Sequence, residues 1–410
     1  MNIVTPTHSP AQIAAENAVA RRNALLYAAC GAVGGAAAPV SIALGGLVGS
    51  YLLAADKSLA TAPVTGFNVG MALMALPAAM LMRRLGRKAG FISGALIGVC
   101  GMMLAVLAIV RHDFWLFAAA LLLNGAAGAF TQQYRFAATD RGTADFRARA
   151  IGWTLTGGVL AAVIGPQLIL YSRDLLAPVP FAGAFLSAIS LFVLSIAFLS
   201  FLAPSMAADS AFAGGNEPAR PLAEIVAQPR FLVSVICGTG AFALMSFVMT
   251  AAPLAMVGCG FSVDQATLGI QWHVLAMFAP SYFTGNLIAR YGKEPIVAAG
   301  LAILILCAAV ALHGQSLAHF WGALVLLGVG WNFAFIGATA MLTDCYRPSE
   351  RSKAQGFNDL VLFSSVAVAS LLSGKLLSVS GWELINGLMF PVVAVCLLAL
   401  GWVGRRRVAG

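Results

Sequence analysis

Residues 285–295 read GNLIARYGKEP, and residues 79–90 read AMLMRRLGRKAG. In each, a long apolar run stops at a basic residue, a glycine and more basic charge: Arg84, Gly86, Arg87 and Lys88 in the earlier copy, Arg290, Gly292 and Lys293 in the later one. Gly86 and Gly292 lie 206 positions apart. At the same offset Phe114 and Trp115 map onto Phe320 and Trp321, and RARAIGW (147–153) maps onto RSKAQGF (351–357) at an offset of 204. Correspondences that keep their order point to a duplicated unit of hydrophobic segments.

Composition supplies the solvent. A chain of 410 residues that is 60% hydrophobic, 10% charged and carries 43 glycines has more apolar surface than a soluble core can bury. Its apolar runs are mostly about 20 residues long, enough for a helix rising 1.5 Å per residue to cross about 30 Å of hydrocarbon. They do not alternate apolar and polar, as strands of a lipid-embedded barrel would. The expected fold is an all-α membrane protein of twelve transmembrane helices, starting at about residues 24, 60, 90, 114, 150, 181, 230, 264, 295, 319, 355 and 384. Residues 1–203 would form one six-helix half and 229–410 the other. Between them, 204–228 would be a cytoplasmic linker, rich in Gly, Ala, Pro and charge (SMAADSAFAGGNEPARPLAEI). The polar first 23 residues, with Arg21 and Arg22, do not form a cleavable signal peptide, so the first helix is expected to be retained.

With both termini in the cytoplasm, all of the 24 lysines and arginines fall inside except Lys57, Arg111, Arg173 and Lys375. That is the positive-inside pattern. Basic loops facing anionic lipid account for the net charge of +9, and no nucleic acid is needed to explain it. The seven cysteines are scattered and show neither metal-ligand spacing nor a disulfide framework. No metal or cofactor is expected.

The two basic turns resemble the signature loop of the major facilitator superfamily: glycine, three residues, Asp-Arg, one residue, then Gly-Arg-Arg or Gly-Arg-Lys, between the second and third helices and again between the eighth and ninth. Arg84, Gly86, Arg87 and Lys88 match it, as do Gly285, Arg290, Gly292 and Lys293. Arg83 and Ala289 stand where the aspartate would be, and Ala79 replaces the first glycine. The resemblance implies a bacterial cytoplasmic-membrane carrier working by alternating access as a monomer, its basic turns helping to lock the halves in one of two states. The missing aspartates should weaken that latch. The plainer alternative is a pair of loops that only set topology.

A solute site is expected near mid-membrane between the halves, where each polar group in a helix is a candidate. Those are Asn68, Asn124 and Asn332, with Trp331 beside Phe333 and Phe335, and Gln271 and Trp272 in QWH; Asn332 stands first among them. Aromatic faces with a few amides suit a flat, polar-edged molecule. His273 is either a packing residue or a proton-coupling group. Arg135 either binds an anionic group or reaches the cytoplasmic surface. Asp359 either pairs with Arg147, Arg351 or Lys353 or carries protons. Arg84, Arg87, Arg290 and Lys293 are the gating candidates. The segment from Gly328 to Gly374, with WNFAFIGATAMLTDCYRPSERSKAQGFND, is similar to bacterial facilitator proteins that include riboflavin importers. That resemblance implies riboflavin uptake.

Other readings stay open at this stage. Gly165 and Pro166 match half of a drug-antiporter signature, but GPQLIL lacks the glycines that follow it. Proton-coupled efflux of a drug or metabolite is thus the alternative, with protons and membrane lipid as partners. A receptor that kept the fold and lost transport is a further one. An enzyme is not supported: HExxH, GxSxG and a phosphate loop are absent, and Gly238, Gly240 and Ala243 lie inside an apolar run with no strand before them.

Overall fold

The computed structural model describes residues 10–138, 140, 144–203 and 220–408. Arg141 and most of the expected linker therefore lie outside the described residues. Within them the regular structure is helical. A first set comprises α1 (Pro10–Val33), which passes through a 3-10 turn at Gly34–Ala36 into α2 (Ala37–Leu52), then α3 (Ala62–Leu85), α4 (Arg87–Val110), α5 (Phe114–Thr131), the short α6 (Tyr134–Ala137), α7 (Ala144–Ser172) and α8 (Ala182–Ser200). After α9 (Leu222–Val226) comes a second set: α10 (Pro229–Gly258), α11 (Val263–Phe278), α12 (Ser281–Tyr291), α13 (Lys293–His313), α14 (Leu317–Leu342), α15 (Arg351–Gly387) and α16 (Met389–Val408). The first helix starts earlier than its apolar residues do, because proline is favoured at the first helical position and the polar stretch up to Arg22 simply prolongs the rod.

Short polar residues start several helices by satisfying their orphan N–H groups. Asp113 accepts from Leu116 N at 2.9 Å, Ser316 accepts from His319 N, and Ser262 forms a capping box with Gln265. Small residues then let helices touch. A Cβ on Gly70 would lie 2.0 Å from the Leu122 carbonyl oxygen and one on Gly125 1.8 Å from that of Phe67, so α3 and α5 pack backbone to backbone.

The two basic turns adopt one geometry. Gly86, between α3 and α4, has φ 83° and ψ 161°; Gly292, between α12 and α13, has φ 91° and ψ 165°. That region is essentially closed to residues with a side chain. Gly86→Ala or Gly292→Ala should each cost about 1–3 kcal/mol. Gly285→Ala, in open space within α12 and without a positive φ, should leave the melting temperature in detergent nearly unchanged, and thermal unfolding of the three variants checks the contrast.

Ten stretches among the described residues are long and apolar enough to cross a membrane. The difference from the expected twelve has two physical causes. The last stretch, Lys353–Val403, is 51 residues long and is broken at Gly381, where φ is 76°. The stretch expected from about residue 264 is cut by Ala279 and Pro280 into helices of 16 and 11 residues, α11 and α12.

The two sets meet mainly toward one end. There Gly374 N donates to Thr61 Oγ1 at 3.2 Å, a Cβ on Gly46 would sit 3.3 Å from Leu254, and Arg173 pairs with Asp264 at 2.6 Å. Gln167 Nε2, just after Pro166 in α7, donates to Gln271 Oε1 at 2.8 Å. Of the ion pairs among the described residues, only Arg173–Asp264 joins the sets. Farther along the same helices the Thr156 and Tyr282 hydroxyls also lie 2.7 Å apart across the sets, whereas the ion pairs toward the opposite end stay within one set.

Two contacts also pin the chain on either side of the connection between the sets. Ala203 N donates to Asn23 Oδ1 at 3.3 Å in the first set. In the second, Arg220 grips the fully buried Glu350 through Nε and a terminal nitrogen, each at 2.7 Å, while the backbone N–H groups of Arg220 and Arg347 donate to the same carboxylate at 2.9 Å. The Arg220 guanidinium, aided by those N–H groups, holds the Glu350 carboxyl far below the usual range. A depressed acid contributes its stability in full above the ordinary carboxylate range and loses it only as pH falls through the lowered value. The clamp is therefore intact at neutral pH.

Candidate functional site

At mid-depth in the second set, three helices bring four rings together. Trp331 and Phe335 of α14 stack with centroids 5.1 Å apart and planes 14° from parallel. Phe242 of α10 meets them edge-on at 5.3 and 5.1 Å, and Phe363 of α15 approaches Phe242 at 6.4 Å. Phe242, Phe335 and Phe363 are half-buried. Trp331 is 7% exposed, and its Nε1–H has no acceptor among the described residues. A buried donor without a partner is costly, so this indole is ready for an acceptor on a ligand. Phe242 and Phe363 were not singled out in the sequence. A sign for Phe242 was its place among Gly238, Gly240, Ala241 and Ala243, where a ring has room beside it.

The amides expected to face a solute separate into two groups. Asn332 is fully buried, with Nδ2 donating to the Met277 carbonyl at 2.6 Å and to Ser281 Oγ at 2.7 Å, and Oδ1 accepting from Thr284 Oγ1 at 2.6 Å. It binds across the break between α11 and α12, where Pro280 interrupts the backbone ladder, and so is engaged with its own protein. Asn124 is buried with Nδ2 3.5 Å from Met102 Sδ, and Gln271 is held by Gln167. Trp272 is exposed. Asn68, half-buried on α3, makes no side-chain hydrogen bond among the described residues and remains available.

His273 is fully buried between α11 and α14, with Nδ1 2.8 Å from the Leu324 carbonyl. Its other ring nitrogen, Nε2, is buried without a partner among the described residues. Arg135 of α6 and Asp359 of α15 are both exposed, come from different sets and sense each other's charge without forming an ion pair. Arg135 also lies 4.7 Å over the Phe136 ring, and Asp359 accepts from Asn358.

Two of the four gating candidates, Arg87 and Lys293, pair inside their own sets. Arg87 is bidentate to Asp140 at 2.9 and 3.1 Å. Lys293 reaches Asp344 at 2.5 Å, whose other oxygen binds Arg230. Arg84 has no ion pair among the described residues, and Arg290 stacks on neighbouring Tyr291 at 5.1 Å. Among the described residues, none of these four makes an ion pair between the sets. Asp140 and Asp344 were missed in the sequence, although the duplication marks them: they are 204 apart, the offset that relates RARAIGW to RSKAQGF, and their partners Arg87 and Lys293 are 206 apart.

Comparison with known proteins agrees with this geometry. A family model described as Major Facilitator Superfamily matches residues 23–336 and 244–409. The chain is 51% identical over 382 residues to "Riboflavin transporter RfnT" of Brucella anthropi, covering 93% of this chain and 95% of that protein. It is 32% identical to the "Uncharacterized MFS-type transporter YddS" of Bacillus subtilis, over 88% of this chain and 87% of the other. Among solved structures, a mutant of the nucleoside transporter NupG superposes with a TM-score of 0.69 at 14% identity, over 93% of this chain and 98% of the other. The human organic anion transporter MFSD10 gives 0.64 at 14% identity, over 93% and 99%. At that identity these structures speak for the fold alone.

Proposed function

Because the chain belongs to the major facilitator superfamily, a family of carriers and not of enzymes, we propose that it carries riboflavin into a bacterial cell across the cytoplasmic membrane. The observation that carries the reading is the 51% identity to a riboflavin transporter, sustained over nearly the whole of both chains. The site chemistry supports it. Riboflavin has a flat tricyclic ring with a carbonyl-rich edge, and Trp331 stacked on Phe335 offers an aromatic surface beside an unpartnered N–H donor. Asn68 is the polar group we assign to the facing wall.

In this reading the broken stretches count as crossings: α11 with α12 makes one, and the turn at Gly381 divides the last stretch into two, since about 75 Å of helix cannot fit one bilayer. Twelve crossings then form two halves, 1–203 and 229–410, joined by the linker 204–228, with both termini in the cytoplasm by the positive-inside pattern. In this reading the end joined by Thr61, Gly374, Arg173 and Asp264 is the outer one. Turning outward would break those contacts and bring Arg135 and Asp359 together at the inner end. Because riboflavin is uncharged at neutral pH, its binding requires no counter-charge. A single chain contains the whole pathway, so the carrier acts as a monomer.

Uptake of labelled riboflavin by riboflavin-requiring bacteria tests the substrate. Cells carrying the chain should accumulate riboflavin above the empty vector. Background uptake with the protein present in the membrane would discard riboflavin import.

A further inference from the structure

A groove of about 900 Å³ lies away from the ring cluster, beside the N-terminal half of α1, between α1, α7 and α8. Its character changes along α1. Arg21 and Arg22 stand at the mouth, and Leu25 and Ala29 follow one and two turns deeper, with Trp153 of α7 and Phe198 of α8 completing the apolar wall. Leu25 is 50% exposed, so the deeper part is open and apolar at once. Arg22 donates to the Phe201 carbonyl at 3.2 Å, which fixes its guanidinium level with the end of α8. Arg21 makes no ion pair among the described residues.

We propose that this groove binds one anionic phospholipid of the cytoplasmic leaflet, its phosphate between Arg21 and Arg22 and an acyl chain along Leu25, Ala29, Trp153 and Phe198. Charge complementarity chooses the occupant. Guanidinium groups bind phosphate oxygens through several N–H donors, and basic pockets between helices on the cytoplasmic side suit anionic headgroups. The apolar wall begins one turn past the arginines, where the acyl chains of such a lipid begin. A soluble phosphate compound would leave that wall bare. The proposal requires a membrane but no particular transported solute.

Native mass spectrometry of the purified full chain, with phosphatidylglycerol or phosphatidylethanolamine of matched acyl chains added, tests it. Wild type should retain one phosphatidylglycerol in clear preference to phosphatidylethanolamine. Arg21→Gln with Arg22→Gln should lower that retention about 10- to 30-fold and abolish the preference. Ala29→Phe, which keeps both arginines and fills the groove, should lower it as well. Arg83→Gln with Arg84→Gln, an equal charge loss elsewhere, should not. Equal retention of the two lipids by wild type, or unchanged phosphatidylglycerol retention in either groove variant, overturns the site. The readout involves no riboflavin, so its failure and that of the transport reading are distinguishable.

Discussion

With cysteines at positions 61 and 374, oxidation should reduce riboflavin uptake to the empty-vector level, and a reducing agent should restore it. A Cβ built on Gly374 lies 3.0 Å from the Thr61 Cβ, close to the separation of about 3.5–4.5 Å that a disulfide spans. The bond would hold α3 to α15 at the end where the sets meet. Alternating access requires that end to part once per cycle, so a covalent tie there stops every cycle without touching the ring cluster. The test belongs in a background with the exposed Cys100 and Cys259 replaced by serine. A protease site placed within 204–219 reports the bond, because the cleaved sets stay together on a non-reducing gel only when it has formed. Continued uptake by fully cross-linked protein would mean that this contact is not a gate.

Phe335→Ala should raise the KM for riboflavin between about five- and 150-fold, the range expected if one ring stacked on a flat heterocycle is worth about 1–3 kcal/mol. Phe335 is the half-buried face of the stacked pair, whereas Trp331 behind it is 7% exposed. Replacing Phe335 therefore removes contact surface with less damage to the interior. Phe333→Ala is the control: that ring packs against Phe283 at 6.3 Å, outside the cluster. Competition by unlabelled riboflavin in vesicles measures both variants. Equal KM values for wild type and Phe335→Ala would remove the cluster from the binding site.

The residues that revealed the fold did so because their physics is local. Gly86 and Gly292 need a backbone region that other residues avoid, so they mark the same turn in each set. Chain length and apolarity could place helices but could not say how they break. Pro280 within its run and Gly381 near the end of the chain each altered the tally of uninterrupted spans.

Site residues were harder to read, since their roles depend on neighbours far away in the chain. Asn332 looked like a solute contact because an amide in lipid needs a partner; its partners Met277, Ser281 and Thr284 surround a helix break about fifty residues earlier. Phe242 sits in a helix whose only charge is Arg230, where periodicity does not say which face looks inward. Asp140 and Asp344 were within reach of the duplication, which relates residues by offset and needs no knowledge of rotation.

The clamps at Asn23 and Glu350 bear on how this protein can be taken apart. The chain between them, residues 204–219, has a contour of roughly 60 Å at most, at about 3.6 Å per residue. Each set secures its own side of that stretch with contacts of its own. The covalent connection guarantees one copy of each set per molecule. Two separately translated genes, one ending after the first clamp and the other beginning before the second, would carry the same instructions for assembly, lacking only that enforced stoichiometry.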